Sequence, residues 1–238
     1  MKKNILLIHG WDYELYTKMT NNKDAWEDYK KFINKLESNY NLYKINLPGF
    51  CGEEEPRDTK WSVLDFANYV DNYIKSNNID VDIVIGYSFG GAVSVKWKVV
   101  SGSKAKLFLI APAIIRNNSN SKKFIKTPKF LDGIRDVLRD FYVINIVKNN
   151  EMKYGTKFLR NTYQVIVRED LRSDLEKIDP KDIKIIYGSN DNAVAPQELI
   201  NSVSNLYKVV LVEDADHDNI LLDDKYIDCI DNELNKIL

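Results

Sequence analysis

Residues 82–97, DIVIGYSFGGAVSVKW, set one serine among three glycines directly behind an apolar run. Gly86 and Gly90 stand two positions before and two after Ser88, the spacing G-x-S-x-G. That spacing suits a sharp strand-to-helix turn in which only glycine leaves room for close backbone approach, while the serine is held strained with its hydroxyl projecting. A helix starting beneath such a serine turns its first amides and its dipole toward developing negative charge. A serine hydroxyl is a weak nucleophile at neutral pH and needs an adjacent base. The chain has only two histidines. His9 lies in LLIHGW behind the first apolar run, and His217 lies in EDADHDN behind the last, where such a base is required. The base in turn needs an acceptor that orients it. Asp191, in YGSNDNAVAP, follows another apolar run, although an aspartate in such a loop is commonly a turn former. Asp214, Asp216 and Asp218 are its rivals near His217; the latter two adjoin the imidazole in sequence and tend to point away from it, which favours Asp191. Two backbone N–H groups must also face the oxygen that becomes negative. Phe89, directly after the serine, supplies one, and Trp11 in HGW supplies the other, so that His9 shapes this loop and transfers no proton.

These residues need a scaffold that brings the ends of several runs together. Six β-rich runs recur: NILLIHG, YNLYKINLPG, VDIVIGYS, AKLFLIAPA, IKIIYGSND and YKVVLVEDADH. Near-continuous apolar strands imply burial on both faces, hence a parallel sheet with helices on either side. Between them, AWEDYKKFINKLES spaces Trp26, Tyr29, Phe32, Ile33 and Leu36 as a helical stripe. SVLDFANYVDNYIKS does the same with Val63, Leu64, Phe66, Ala67, Val70, Tyr73 and Ile74. The alternation predicts an open, doubly wound α/β fold, whose ligands bind at the carboxyl ends of the strands. From 112 to about 178 the strand signal stops, and segments such as FLDGIRDVLRDFY look helical. The expected organisation is a core of residues 1–111 and 179–238 with a helical insertion at 112–178, since a structureless loop of that length is improbable.

With 238 residues the chain can bury one sizeable core, and a net charge of −1 gives no reason to expect nucleic acid as a partner. No apolar run approaches the roughly 18 residues that span a bilayer. The N-terminal MKKNILLIHG reads as a buried strand without a cleavage site, and Cys51 and Cys229 read as free thiols in a reducing cytoplasm. No cysteine or histidine spacing suggests a metal, and no phosphate-binding glycine motif suggests a nucleotide, so no cofactor is expected. The interval 112–178 holds 14 Lys and Arg against 8 Asp and Glu. That surplus is either a solvated face or a means of steering anionic substrates.

Taken together, LLIHGW, INLPGFCGEEEP, IVIGYSFGGA, YGSNDNAVAP and DADH resemble the α/β-hydrolase fold superfamily in its serine-nucleophile branch, over residues 6–217. The chain order serine, aspartate, histidine is the order of that superfamily. The resemblance implies Ser88 as nucleophile, Asp191 as acid, His217 as base, Trp11 and Phe89 as oxyanion donors, and the 112–178 insertion as a lid. It further implies a carboxylesterase-like hydrolase of small acyl compounds, with carbon–carbon bond hydrolysis, acyl transfer or a non-catalytic ligand-binding role as alternatives. Two departures stand out. The first two strands of the full family sheet have no counterpart, leaving six parallel strands in the order 2-1-3-4-5-6. The usual glycine-rich approach to the histidine is replaced by Glu-Asp-Ala-Asp, which adds negative charge beside it.

Overall fold

A computed structural model describes residues 2–20, 23–115, 149–194, 196–203 and 206–237. Six strands form one sheet: β1 (Asn4–Ile8), β2 (Asn41–Ile45), β3 (Ile83–Tyr87), β4 (Lys106–Ile110), β5 (Ile183–Gly188) and β6 (Val209–Val212). Every pairing is parallel, as the apolar runs predict, and the spatial order is β2-β1-β3-β4-β5-β6, as the family resemblance implies. The apolar runs form the middle of the sheet: Ile5, Leu6, Leu7 and Ile8 of β1 are fully buried, as is most of β3 and β4. Each such side chain contributes about 1.5–3 kcal/mol by leaving water. The edge strands are less covered, and Leu211 on β6 is half-exposed. An edge strand has one neighbour, so continuous burial holds only for the inner four.

Helices α1 (Lys30–Glu37) and α8 (Asp224–Asn235) pack together, tied by the ion pairs Lys31–Asp224 and Lys35–Asp228. Helices α2 (Val63–Ser76) and α3 (Phe89–Ser101) pack on one another, with the Trp97 indole donating to Asp71 at 3.3 Å. The Ser62 hydroxyl and the Asp65 carboxylate form a reciprocal cap at the start of α2. The expected stripe on α2 needs one correction. Val63, Phe66, Ala67 and Val70 are buried, whereas Leu64 is exposed. At about 100° per residue, Leu64 lies well off the arc shared by the others. The first expected helix also starts later, as a short 3₁₀ turn (Glu27–Tyr29) leading into α1.

Between β4 and β5 the described residues form α4 (Asn150–Tyr154), α5 (Lys157–Ile166) and α6 (Arg172–Leu175). Helix α5 is amphipathic, burying Phe158, Leu159, Thr162 and Ile166. Its Thr162 hydroxyl accepts from the Trp61 amide, and Glu169 accepts from the Val63 amide, so this segment covers the start of α2. The expected helix at FLDGIRDVLRDFY lies outside the described residues. Helix α7 (Pro196–Val203) links β5 to β6.

The strand order carries a consequence for position. The chain passes from β1 outward to β2, then returns across β1 to β3, so the order reverses between β1 and β3. The loops leaving their carboxyl ends diverge there and open a crevice. Ile8 pairs with Gly86, which sets residues 9–11 abreast of residues 87–89. Gly188 pairs with Val212, which places Asp191 and His217 on that same sheet edge.

Candidate active site

Ser88 sits between β3 and α3 with φ 51° and ψ −116°, a left-handed conformation that costs a non-glycine residue about 1–3 kcal/mol. Three backbone hydrogen bonds hold it there. Its amide donates to the Ile110 carbonyl at 3.0 Å, and its carbonyl accepts from Gly91 at 3.0 Å and Ala113 at 2.9 Å. The flanking glycines are required by contact. A Cβ on Gly90 would lie 2.1 Å from the Ile8 carbonyl oxygen, and one on Gly86 would lie 2.6 Å from that of Gly90. The elbow is thus locked against β1 on one side and β4 on the other.

Asp191 is buried to the last atom of its side chain. Its Oδ1 accepts from the amides of Ala193 at 2.9 Å and Val194 at 2.8 Å, leaving Oδ2 to face His217 Nδ1 at 2.8 Å. His217 Nε2 lies 3.1 Å from Ser88 Oγ. A carboxylate only accepts, so Nδ1 carries the imidazole proton and Nε2 is free to receive one from the serine. The rivals do other things. Asp216 accepts from the amides of Asp218 and Asn219 and shapes the turn, while exposed Asp214 pairs with Lys225 at 3.8 Å. Asp218 is exposed. The structure therefore brings Asp191, and none of the three, to the imidazole.

Tyr87 braces the base in a way its place in the sequence does not signal. Its hydroxyl donates to the His217 carbonyl at 2.7 Å, and its ring stacks on the imidazole with centroids 5.4 Å apart. As the variable residue before the serine in G-x-S-x-G it carries no signal of this role, which depends on a contact 130 residues away.

The loop after β1 stands beside the elbow, and a Cβ on Gly10 would lie 3.1 Å from that of Ser88. His9 is buried, donating from Nδ1 to the Gly10 carbonyl at 2.7 Å and accepting at Nε2 from the Leu47 amide at 3.0 Å. Burial pushes its imidazole down to about 4, so at neutral pH it is an uncharged brace between two loops. The Trp11 indole packs edge-on against Phe50 and Phe89, and its Nε1 donates to the Tyr16 hydroxyl at 2.8 Å. That hydroxyl donates to Glu151 on α4 at 2.7 Å. Phe89 is the first residue of α3, so its amide has no acceptor within the helix.

A cavity of about 520 Å³ opens on Ser88 and His217, with Trp11, Tyr13, Trp26, Tyr29 and Tyr87 in its walls. That is within the range of small-molecule sites. A larger hollow of about 600 Å³ lies near the opposite sheet edge, around Lys98, Lys104 and Asp182, and contains no nucleophile–base pair.

Six parallel strands with a serine elbow at the reversal of their order define a doubly wound α/β protein of the hydrolase type. Residues 5–228 match the model of the alpha/beta hydrolase family, and the chain belongs to that family. It is a hydrolase of this fold. A Mycoplasma genitalium protein named as an esterase/lipase is 26% identical over 202 residues, covering 71% of this chain and 69% of that protein. Among solved structures, an esterase from Exiguobacterium antarcticum matches with a TM-score of 0.64 at 16% identity, over 99% of this chain and 91% of that one. A bromoperoxidase from Bacillus anthracis matches with a TM-score of 0.68 at 17% identity, over 99% and 92%. A structure from a study of carboxylesterases of Nitrososphaera gargenis matches with a TM-score of 0.67 at 13% identity, over 99% and 91%. At these identities the structural likeness shows the fold alone. Among the described residues no helix is long and apolar enough to cross a membrane.

Proposed function

We propose that the protein is a serine hydrolase of carboxylic esters or closely related acyl compounds, working through an acyl-enzyme. Ser88 Oγ attacks the acyl carbonyl while His217 Nε2 takes its proton. The tetrahedral intermediate collapses as His217 returns that proton to the departing alcohol, leaving the acyl group on Ser88. Water then attacks the acyl-enzyme, giving its proton to His217, and the carboxylic acid leaves as Ser88 recovers a proton. Asp191 holds the imidazole in the required tautomer and balances its charge when protonated. The amides of Trp11 and Phe89 receive the oxyanion.

The observation that carries this reading is the unbroken line Asp191 Oδ2 to His217 Nδ1 at 2.8 Å and His217 Nε2 to Ser88 Oγ at 3.1 Å. The esterase/lipase name of the Mycoplasma genitalium relative supports the ester as substrate class. Residues 112–178 serve as a lid on the core of 1–111 and 179–238, a role supported by the packing of Tyr163 on Trp11 and the bond of Glu151 to Tyr16. A cytoplasmic site suits the free thiols of Cys51 and Cys229. Stopped-flow hydrolysis of p-nitrophenyl esters graded by acyl length tests the chemistry. An initial burst near one product per chain, absent from Ser88→Ala, is expected. Equal turnover by the two proteins would exclude Ser88 as the nucleophile.

A further inference from the structure

We propose that the cavity beside Ser88 selects esters that carry a positive charge, an ammonium group on either the acyl or the alcohol portion. The hydrolytic half of this statement rests on the serine hydrolase reading above; the selection of a cation does not.

Five carboxylates line the cavity: Asp12, Glu14, Asp28, Glu151 and Asp218. No lysine or arginine among the described residues lines it, and none of the described ion pairs involves any of the five. Carboxylates on a rim are ordinarily a solvated face, and Glu14, Asp28 and Asp218 are exposed. Asp12 and Glu151 are different, being half-buried. Burial raises the Asp12 carboxyl, the hydrogen bond from the Glu14 amide opposes this, and the charges of Glu14, Asp218 and Asp28 add to the rise. Burial likewise raises Glu151, with Asp12 adding to the effect, while its hydrogen bond from Tyr16 comes from a neutral donor. Burial pushes the Tyr29 hydroxyl up to about 12, against a hydrogen bond with Tyr87 and with the charges of Asp12, Asp218 and Asp28 adding to the rise. Groups from the β1 loop, the turn before α1, α4 and the His217 loop therefore share one negative field.

An anionic substrate entering this space meets repulsion from every side, and a neutral one leaves the repulsion as it was. A cation relieves it. The walls also contain Tyr13, Trp26 and Tyr29, rings of the type whose negative faces attract an alkylammonium head. Anion steering by the basic interval 112–178 is the opposite expectation. Eight of its 14 basic residues fall at 116–148, outside the described residues.

Isothermal titration of the full-length Ser88→Ala protein with choline and its uncharged isostere 3,3-dimethylbutan-1-ol measures the selection without turnover. Choline should bind at least about tenfold more tightly. The advantage should shrink at high salt and in Asp12→Asn or Glu151→Gln added to that background. Asp12→Asn keeps the side-chain oxygen that accepts from the Glu14 amide, so the local turn is preserved. On the wild-type chain, kcat/KM for acetylcholine should exceed that for 3,3-dimethylbutyl acetate by a similar ratio. Equal binding of the two alcohols, or tighter binding of the neutral one, overturns the proposal. Cleavage of both esters at equal rates leaves the serine hydrolase reading standing and removes the cation preference. Preferential choline binding with no cleavage of either ester upholds the cation site and counts against the serine esterase reading.

Discussion

Asp191 does two jobs with two oxygens: Oδ1 ties down its own loop through the amides of Ala193 and Val194, and Oδ2 faces the imidazole. Replacing it by asparagine keeps the shape but can present an amide N–H where Nδ1 needs an acceptor. Turnover of Asp191→Asn should fall about 10²–10⁴-fold. Asp214→Asn and Asp216→Asn, whose side chains have other partners, should lose about tenfold or less, and steady-state kinetics on the three variants separates the roles. His9 makes a prediction about stability. Its folded value of about 4 lies below the ordinary 6.5, so the unfolded chain takes up the proton first as pH falls. The stabilisation is complete above about pH 6.5 and is lost between there and about pH 4, amounting to roughly 3 kcal/mol. Urea midpoints of His9→Gln should be lower than wild type at pH 7 yet fall less steeply toward pH 4.5. Parallel pH profiles of the two proteins would show that His9 is not the group being protonated.

At the scale of elements, the elbow between β3 and α3 depends on contacts too close for any side chain. Gly90→Ala would drive a methyl into the Ile8 carbonyl, displacing α3 from β1. We expect a thermal midpoint lowered by several degrees, corresponding to about 2 kcal/mol or more, together with loss of activity. An unchanged midpoint would mean that the helix can shift without cost. The inner strands were legible in the sequence because both their faces are buried, and G-x-S-x-G was legible because its glycines answer a local steric demand. Leu64 departs from the expected stripe because a stripe read from spacing is wider than the arc that is buried. Tyr87, Tyr16 and Glu151 gave no signal, since each acts through a partner that only the tertiary fold supplies. Asp191 could be preferred over its neighbours from the sequence, but the register of β5 against β6 is what sets it opposite His217.

For the molecule as a whole, the parallel direction of the strands puts the loops of β1, β3, β5 and β6 on one edge, and the reversal of order between β1 and β3 opens a crevice there. Residues scattered from 9 to 217 thereby converge on one cavity, and this is why chemistry read from short motifs was consistent with a fold read from long periodicities. The cavity's charge was not legible. Its carboxylates come from four separate segments, of which the sequence marks only Asp218, beside His217; Asp12, Glu14, Asp28 and Glu151 carry no signal in a nearly neutral chain. The central claim is that Ser88, and no other serine, is activated. Incubation of the folded wild-type chain with a fluorophosphonate, followed by peptide mass spectrometry, measures this directly. The account predicts a single adduct on the peptide containing Ser88, formed far more slowly in His217→Ala. An adduct on a different serine, or none on folded protein that still hydrolyses esters, would contradict it.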